Sequence, residues 1–363
     1  MNFDFKQHPI KWTTIVASVA ISIVVGSLIL ILVGKNPIEV FSIIISGALG
    51  SEFALSSTLR WMTPILICGV ASAISFRGGM FNMGIEGQMY LGAFFAALAG
   101  HYVKGLPAAV HVSLCILVGM LFGVLFALIP ALLRYYFNAN EMVVGIMMNY
   151  VAMDLTDYLV RYHFIAGGTF GTALVTEEIQ STARLPMLLS KGQANYGLLI
   201  GILLVVSFYI IIKKSKSGYE IHIVGINPEF ARYGGVDVAK TQIKIILISG
   251  AIAGIAGAVE VMGVVKMFQT RFSPGYGNDG IVAAFLGANT PIGTLIASFV
   301  LGALKAGVLS VERYAGVSRA LAKIIQAIVL VFISTRMLSN ADAFKLKFRK
   351  KISAQAEQKR GVR

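Results

Sequence analysis

The sequence has few of the residues on which enzymes and metal sites depend. Only 13% of its 363 residues are charged, and its two cysteines, Cys68 and Cys115, lie in separate apolar segments. This spacing gives no CxxC motif and no zinc site, so we expect both to be small core residues. The five histidines are scattered, and neither an HExxH helix nor a GxSxG elbow is present. We therefore predict no catalytic residue, no metal and no cofactor in this chain.

One stretch approaches a nucleotide-binding motif without completing it. Residues 234–241, GGVDVAKT, match a phosphate loop except that Ala239 occupies the position of the second glycine. That glycine lets the backbone wrap around phosphate, so we expect no ATP site here.

The abundant residues are apolar. They make up 56% of the chain, and the mean hydropathy of +0.78 is typical of a multi-pass membrane protein. A helix of about 20 apolar residues crosses the bilayer with its backbone hydrogen bonds satisfied. The uncharged run from 12 to 34 is too long for a signal peptide and predicts an uncleaved first span. Runs between charges predict ten spans, near 12–34, 61–76, 88–103, 106–133, 142–160, 194–212, 243–265, 281–289, 292–309 and 320–338.

The positive charge predicts the orientation of these spans. Most of the net charge of +14 comes from residues 213–244 and from the tail, 339–363. Basic segments beside membrane helices lie on the cytoplasmic side and meet anionic lipid, so we predict no nucleic-acid partner. Both termini and a loop at 213–242 are then cytoplasmic. The segment 161–193 is external, and TEEIQSTARLP within it predicts a short surface helix or a docking site.

We divide the chain into a first segment with its helix, 1–35, a transmembrane domain, 36–338, and the basic cytoplasmic tail. Two predicted spans, 61–76 and 281–289, are too short to cross unaided. Broken helices at membrane depth are tolerated where they line a cavity, and such pairs mark transport paths. We therefore predict an all-α polytopic membrane protein in two similar halves, 60–160 and 243–338, each with a broken or short helix.

Polar side chains adjoin both breaks and are candidates for a substrate path. Glu86 follows Asn82 in the first turn of a helix, so stabilisation by the helix end and contact with substrate are both open. The other acids near apolar segments are Asp154, Asp157, Glu260 and Asp279. Asp154 and Asp157 share a helix face and could line a water-filled path, or Asp157 could pair with Arg161; Glu260 could pair with Lys266. The predicted path residues are Phe81, Asn82, Glu86, Gln88, Asn149, Asn278 and Asp279.

Two further patterns predict helix packing and a short polar helix. Gly119 and Gly123, like Gly250, Gly254 and Ala258, have the spacing that permits close contact between helices. The stretch 225–236, GINPEFARYGGV, reads as a helix of about two turns with both ends marked. Its signals are a cap at Asn227, Pro228 at the first helical position and a left-handed exit at Gly234 or Gly235.

Four motifs in order carry a family resemblance: FRGGMFNMGIEGQMYLGA, NEMVVGIMMNYVA, GINPEFARYGGV and GYGNDGIVAAFLGANTPIG. Over 60–338 the chain resembles permease subunits of ABC importers for ribose, other simple sugars and nucleosides, with branched-chain amino acid permeases as relatives. The GxEGQ signature and the long N-terminal region look more like nucleoside permeases than ribose permeases.

This resemblance implies a nucleoside permease of the cytoplasmic membrane, with ribose or simple sugars as the alternative substrates. It also implies partners: a cytoplasmic ATPase with two nucleotide-binding domains that binds and hydrolyses ATP, a second, related permease subunit and an external substrate-binding lipoprotein. The capped helix would be the coupling helix that docks on the ATPase, through Asn227, Pro228, Glu229, Arg232 and Gly234. A different class, a proton-coupled secondary transporter using Glu86 or Asp154, would leave this helix unexplained.

Overall fold

The computed structural model describes residues 27–28, 30–31, 34–167 and 174–314, and these residues are mostly helical. Residues 43–314 form one compact unit. Most of the predicted span 12–34, all of 320–338 and the basic tail lie outside the described residues.

Eleven α-helices are found in the described part of the chain. Two of them continue into a π-helical turn, α5 at Val160–Phe164 and α9 at Val261–Val265. The helices are α1 Pro37–Leu49, α2 Glu52–Arg77, α3 Ile85–Tyr102, α4 Ala108–Phe137, α5 Glu141–Leu159, α6 Gly197–Lys214, α7 Lys216–Ile226, α8 Pro228–Tyr233, α9 Val238–Glu260, α10 Tyr276–Leu286 and α11 Pro291–Tyr314.

Six of these helices are long and apolar enough to cross a membrane: α2, α4, α5 with its π turn, α6, α9 with its π turn, and α11. A helix also lies at the predicted spans 88–103 and 281–289, as α3 and the short α10. Eight of the ten predicted spans thus coincide with a helix. The prediction of a helical protein with several membrane-spanning helices is confirmed.

The prediction that 61–76 is too short to cross was wrong. Helix α2 begins eight residues before Arg60, with Ser51 as its N-cap, and its 26 residues extend about 39 Å. The charge of Arg60 does not end the helix, because its guanidinium pairs with the carboxylate of Glu260 on α9 at 2.6 Å. A buried ion pair lets an apolar helix contain a charged residue.

The core of the bundle is packed around α9, through glycines. Gly119 and Gly123 of α4 face Gly250 and Gly254 of α9, and Gly92 of α3 also contacts Gly254. A Cβ atom added at Gly254 would lie 2.1 Å from the carbonyl oxygen of Gly119. The three helix backbones therefore approach more closely than any larger side chain permits, which confirms the packing predicted from the small-residue spacing.

Residues 174–196, which precede α6, lie across the ends of α3 and α9. The amide N–H of Ile179 donates to the carbonyl of Lys266 at 2.9 Å, and that of Gln180 donates to the carbonyl of Gly100 at 2.8 Å. Among residues 174–196, Ser181–Ala183 is the only helical turn, and it is of the 3₁₀ type. Of the two alternatives predicted for TEEIQSTARLP, the surface helix was therefore wrong, because these backbone groups are bonded to neighbouring elements. The docking site stays a prediction.

Candidate functional site

The connection between α2 and α3 forms a buried polar break in the bundle. Asn82 organises it: its Oδ1 accepts the N–H of Gly84 at 3.0 Å, and its Nδ2 donates to Gln88 and to Ser249 of α9, both at 2.9 Å. Ser249 in turn donates to the carbonyl of Ala71 on α2. The Asn82 side chain is 3% exposed and bonded at both polar atoms, so it fixes the path of the chain through the break.

Asn149 ties α5 to the same break. Its Oδ1 accepts the N–H of Gly87 at 2.7 Å, and its Nδ2 donates to the carbonyl of Met83 at 2.8 Å. Phe81 is partly buried, and the centroid of its ring lies 5.3 Å from the ring centroid of Phe76. The structure thus groups Asn82, Gln88 and Asn149, whose positions in the sequence are up to 67 residues apart.

The second break meets the first at the carboxylate of Glu86. Glu86 lies in the first turn of α3, and its Oε2 accepts the N–H of Gly277 in the first turn of α10. The residue is 2% exposed, and its Oε1 has no hydrogen-bond partner among the described residues. Two helix N-termini therefore share one carboxylate, and each partial positive charge stabilises it. We name this junction of α3 and α10 the N-terminal junction.

Charged side chains from other helices hold the start of α10 in place. The Tyr276 hydroxyl accepts a hydrogen bond from Arg60 of α2 and donates one to Glu260 of α9 at 3.1 Å. Asp279 forms an ion pair with Lys305 of α11. The beginning of this short helix is thus bonded to α2, α3, α9 and α11.

Arg60, Tyr276 and Lys305 were not predicted as site residues. Arg60 was interpreted as the boundary of a span, which concealed its buried ion pair with Glu260. Lys305 offered a usable signal, because a cation inside an apolar span implies a partner. That partner is Asp279, 26 residues away, and the two side chains are 11% and 16% exposed.

Two predicted pairings were wrong. Glu260 bonds Arg60 instead of Lys266, and Asp157 lies 3.3 Å from Arg271 instead of pairing with Arg161. Both true partners are distant in sequence, so local spacing could not identify them.

Two other predicted candidates lie outside the polar cluster. The side chain of Asp154 is 75% exposed and 3.6 Å from Arg271, so this residue is not a buried acid. Asn278 is exposed and takes no part in the hydrogen bonds around Asn82.

The polar loop between α6 and α9 contains the capped helix that the sequence predicted. Asn227 accepts the N–H groups of Glu229 and Phe230 at 3.0 Å each, and Pro228 is the first helical residue. The left-handed exit is at Gly235, with φ 80°, whereas Gly234 has φ −76°. Of the two predicted exits, Gly235 is therefore correct and Gly234 is not.

Helix α8 is anchored on one side and exposed on the other. Ala231 is fully buried and packs with Val224 and Val238. Phe230 is 62% exposed and Tyr233 is 92% exposed. A helix of six residues thus presents two aromatic rings from a fixed position, which is typical of a protein-docking element.

The residues that resemble a phosphate loop form the turn before α9 and the start of that helix. Asp237 is the N-cap of α9 and accepts the N–H of Lys240 at 3.0 Å. This hydrogen bond, strengthened by the ammonium of Lys240, lowers the pKa of Asp237. The stretch is accounted for as a helix start.

The described part of the chain thus combines six helices that are long and apolar enough to span a membrane, a buried junction of helix ends and a short capped helix in a polar loop, which is typical of a multi-pass transport permease. The chain belongs to the family described as branched-chain amino acid transport system / permease component, whose model matches residues 54–334.

Curated relatives cover most of the chain. It is 32% identical over 322 residues to the guanosine ABC transporter permease protein NupP of Bacillus subtilis, covering 88% of this chain and 91% of that protein. It is 32% identical over 353 residues to the glucose ABC transporter permease protein TsgB13 of Haloferax volcanii, covering 92% of each. It is 28% identical over 340 residues to the nucleoside ABC transporter permease protein NupB of Lactococcus lactis, covering 90% of this chain and 93% of that protein.

Proposed function

We propose that this chain is the nucleoside-translocating membrane subunit of an ATP-binding-cassette importer in the cytoplasmic membrane. The proposed substrate class rests on one observation: over about nine-tenths of its length the chain is similar to permeases named for guanosine and for nucleosides. A simple sugar is the second candidate, because the glucose permease is equally similar in identity.

Uptake measurements distinguish the two substrates. Cells that express the complete transporter should accumulate labelled guanosine, adenosine or uridine, and unlabelled nucleosides should compete at lower concentration than glucose or ribose. Cells lacking this chain are the control. Competition by a sugar but by no nucleoside would replace the nucleoside proposal with the sugar proposal.

We propose that α8 docks on a separate ATPase subunit, which binds and hydrolyses ATP. Support comes from the capped N-terminus at Asn227 and Pro228, the buried anchor at Ala231 and the exposed face that includes Glu229 and Arg232. A groove on the partner would cover Phe230 and Tyr233. The further proposed partners are a related permease subunit and an external substrate-binding lipoprotein.

The proposed substrate path runs beside the N-terminal junction. Asn82, Gln88 and Asn149 would shape the break, and Glu86 and Asp279 would hold the start of α10. Of the seven predicted path residues, Asn278 is exposed and Phe81 and Asp279 are partly exposed. We propose Asn278 and Phe81 for direct contact with substrate, because Asp279 is paired with Lys305. An uncharged nucleoside needs hydrogen-bonding and aromatic surface and no fixed counter-charge.

The proposed topology has ten crossings in two similar halves, with both termini and 213–242 cytoplasmic and 161–193 external. Lys191 and Lys216 are both exposed, one in each loop. In a background without Cys68 and Cys115, Lys191→Cys should react with an impermeant maleimide in intact cells. Lys216→Cys should react only after the membrane is opened. Labelling of both from the same side contradicts this topology.

A further inference from the structure

A groove of about 360 Å³ lies along α9 beside α4, away from the N-terminal junction. Its apolar walls are formed by Val124 of α4 and by Ile243, Leu247, Ile248 and Ala251 of α9. Ile243 and Leu247 also pack against a buried cluster that includes Met80 and Ile245. The groove therefore lies directly against the packed core of the bundle.

Two lysines close one end of the groove, Lys240 and Lys244. They continue the same helical stripe as the apolar residues, because positions 240, 243, 244, 247, 248 and 251 share one face of α9. The rise from Lys240 to Ala251 is about 16 Å. Half of a hydrocarbon core of about 30 Å is about 15 Å, so the groove matches the depth of one leaflet.

The two ammonium groups keep hydrogen-bonding capacity for an anion. Lys244 donates to the hydroxyl of Ser217 at 2.8 Å, and no carboxylate of the described residues lies within 4 Å of it. Lys240 pairs with Asp237 at 3.1 Å, but the two side chains are 86% and 51% exposed. Such an exposed pair contributes little, and each ammonium has three donors.

The geometry points to a binding site for an anionic phospholipid, with one acyl chain along the apolar walls and its phosphate at Lys244 and Lys240. An acyl chain complements the walls, and a phosphate complements the lysines. A sister subunit would need a partner surface that is apolar and acidic over the same length. The proposal depends on α4 and α9 spanning the membrane, and not on the transported substrate or the orientation.

Native mass spectrometry of the purified full chain tests the site with palmitoyl-oleoyl phosphatidylglycerol and phosphatidylcholine as probes. The wild type should retain phosphatidylglycerol in preference to phosphatidylcholine, by roughly thirtyfold for two interfacial lysines. Lys240→Gln with Lys244→Gln should remove most of this preference. Lys213→Gln with Lys214→Gln is the matched control, because these lysines are exposed at the end of α6, outside the groove, and should leave the preference unchanged.

Two additional measurements distinguish a bound phospholipid from the other possible occupants of the groove. Ala251→Trp fills the apolar end and should reduce retention while leaving both lysines in place, and soluble glycerol phosphate should not displace the lipid. Equal retention of the two lipids by the wild type, equal losses in both lysine pairs, or displacement by glycerol phosphate would overturn the proposal. So would a cross-link from Ala251→Cys to a second permease subunit. None of these readouts depends on uptake, so failure here is distinguishable from failure of the proposed function.

Discussion

Uptake should fall at least tenfold when Glu86 is replaced by alanine, and by clearly less when it is replaced by glutamine. Alanine leaves the N–H of Gly277 without its buried acceptor, at a cost of about 1–3 kcal/mol. It also removes the negative charge shared by the starts of α3 and α10. Glutamine keeps an acceptor oxygen in nearly the same volume, so the geometry of the N-terminal junction survives in part.

The measurement is the initial uptake rate at matched membrane abundance, together with the thermal stability of the purified chain. Glu178→Ala is the matched control, because that carboxylate is 60% exposed and pairs only at the surface with Arg184. If Glu86→Gln lowers uptake as much as Glu86→Ala while the thermal stability of the chain is unchanged, the positioning role is contradicted. That result would favour a carboxyl group that must exchange a proton, as in a secondary transporter.

Most of the spanning helices could be predicted from the sequence because apolar length is a local property. The start of α2 could not, because it depends on whether Arg60 is solvated or paired. The pairing with Glu260 joins residues 200 positions apart, which periodicity along one helix cannot reveal. Both wrong pairings of the acids have this origin, since Asp157 and Glu260 bond side chains from distant segments.

The positions of the two polar breaks could be predicted from the sequence, but the contacts between them could be predicted only in part. Glycine and asparagine mark both breaks in the sequence, but the bond from Gly277 to Glu86 follows from how α10 packs against α3. Even in the capped helix the local signal was ambiguous. Two consecutive glycines allow either to adopt positive φ, and the structure selects Gly235.

The second large effect is expected at α8. Phe230→Ser with Tyr233→Ser should abolish co-purification of the ATPase and lower uptake to background. Both rings are exposed, so their loss should change the stability of the permease by less than about 0.5 kcal/mol. Aromatic anchors of an interface each contribute about 2 kcal/mol or more, so losing two weakens docking by well over tenfold.

Tyr158→Ser with Tyr162→Ser is the matched control, since these tyrosines are 53% and 65% exposed and lie at the end of α5. The conformation of the helix provides a finer test. Gly235→Val places a β-branched residue at φ 80° and should misdirect α8, so docking weakens although both rings remain. Gly234→Val should have a smaller effect, because φ is −76° there and a Cβ atom would lie 3.4 Å from its nearest neighbour. Normal ATPase association in the Phe230/Tyr233 variant, or equal loss in the Tyr158/Tyr162 control, would contradict the docking role of α8.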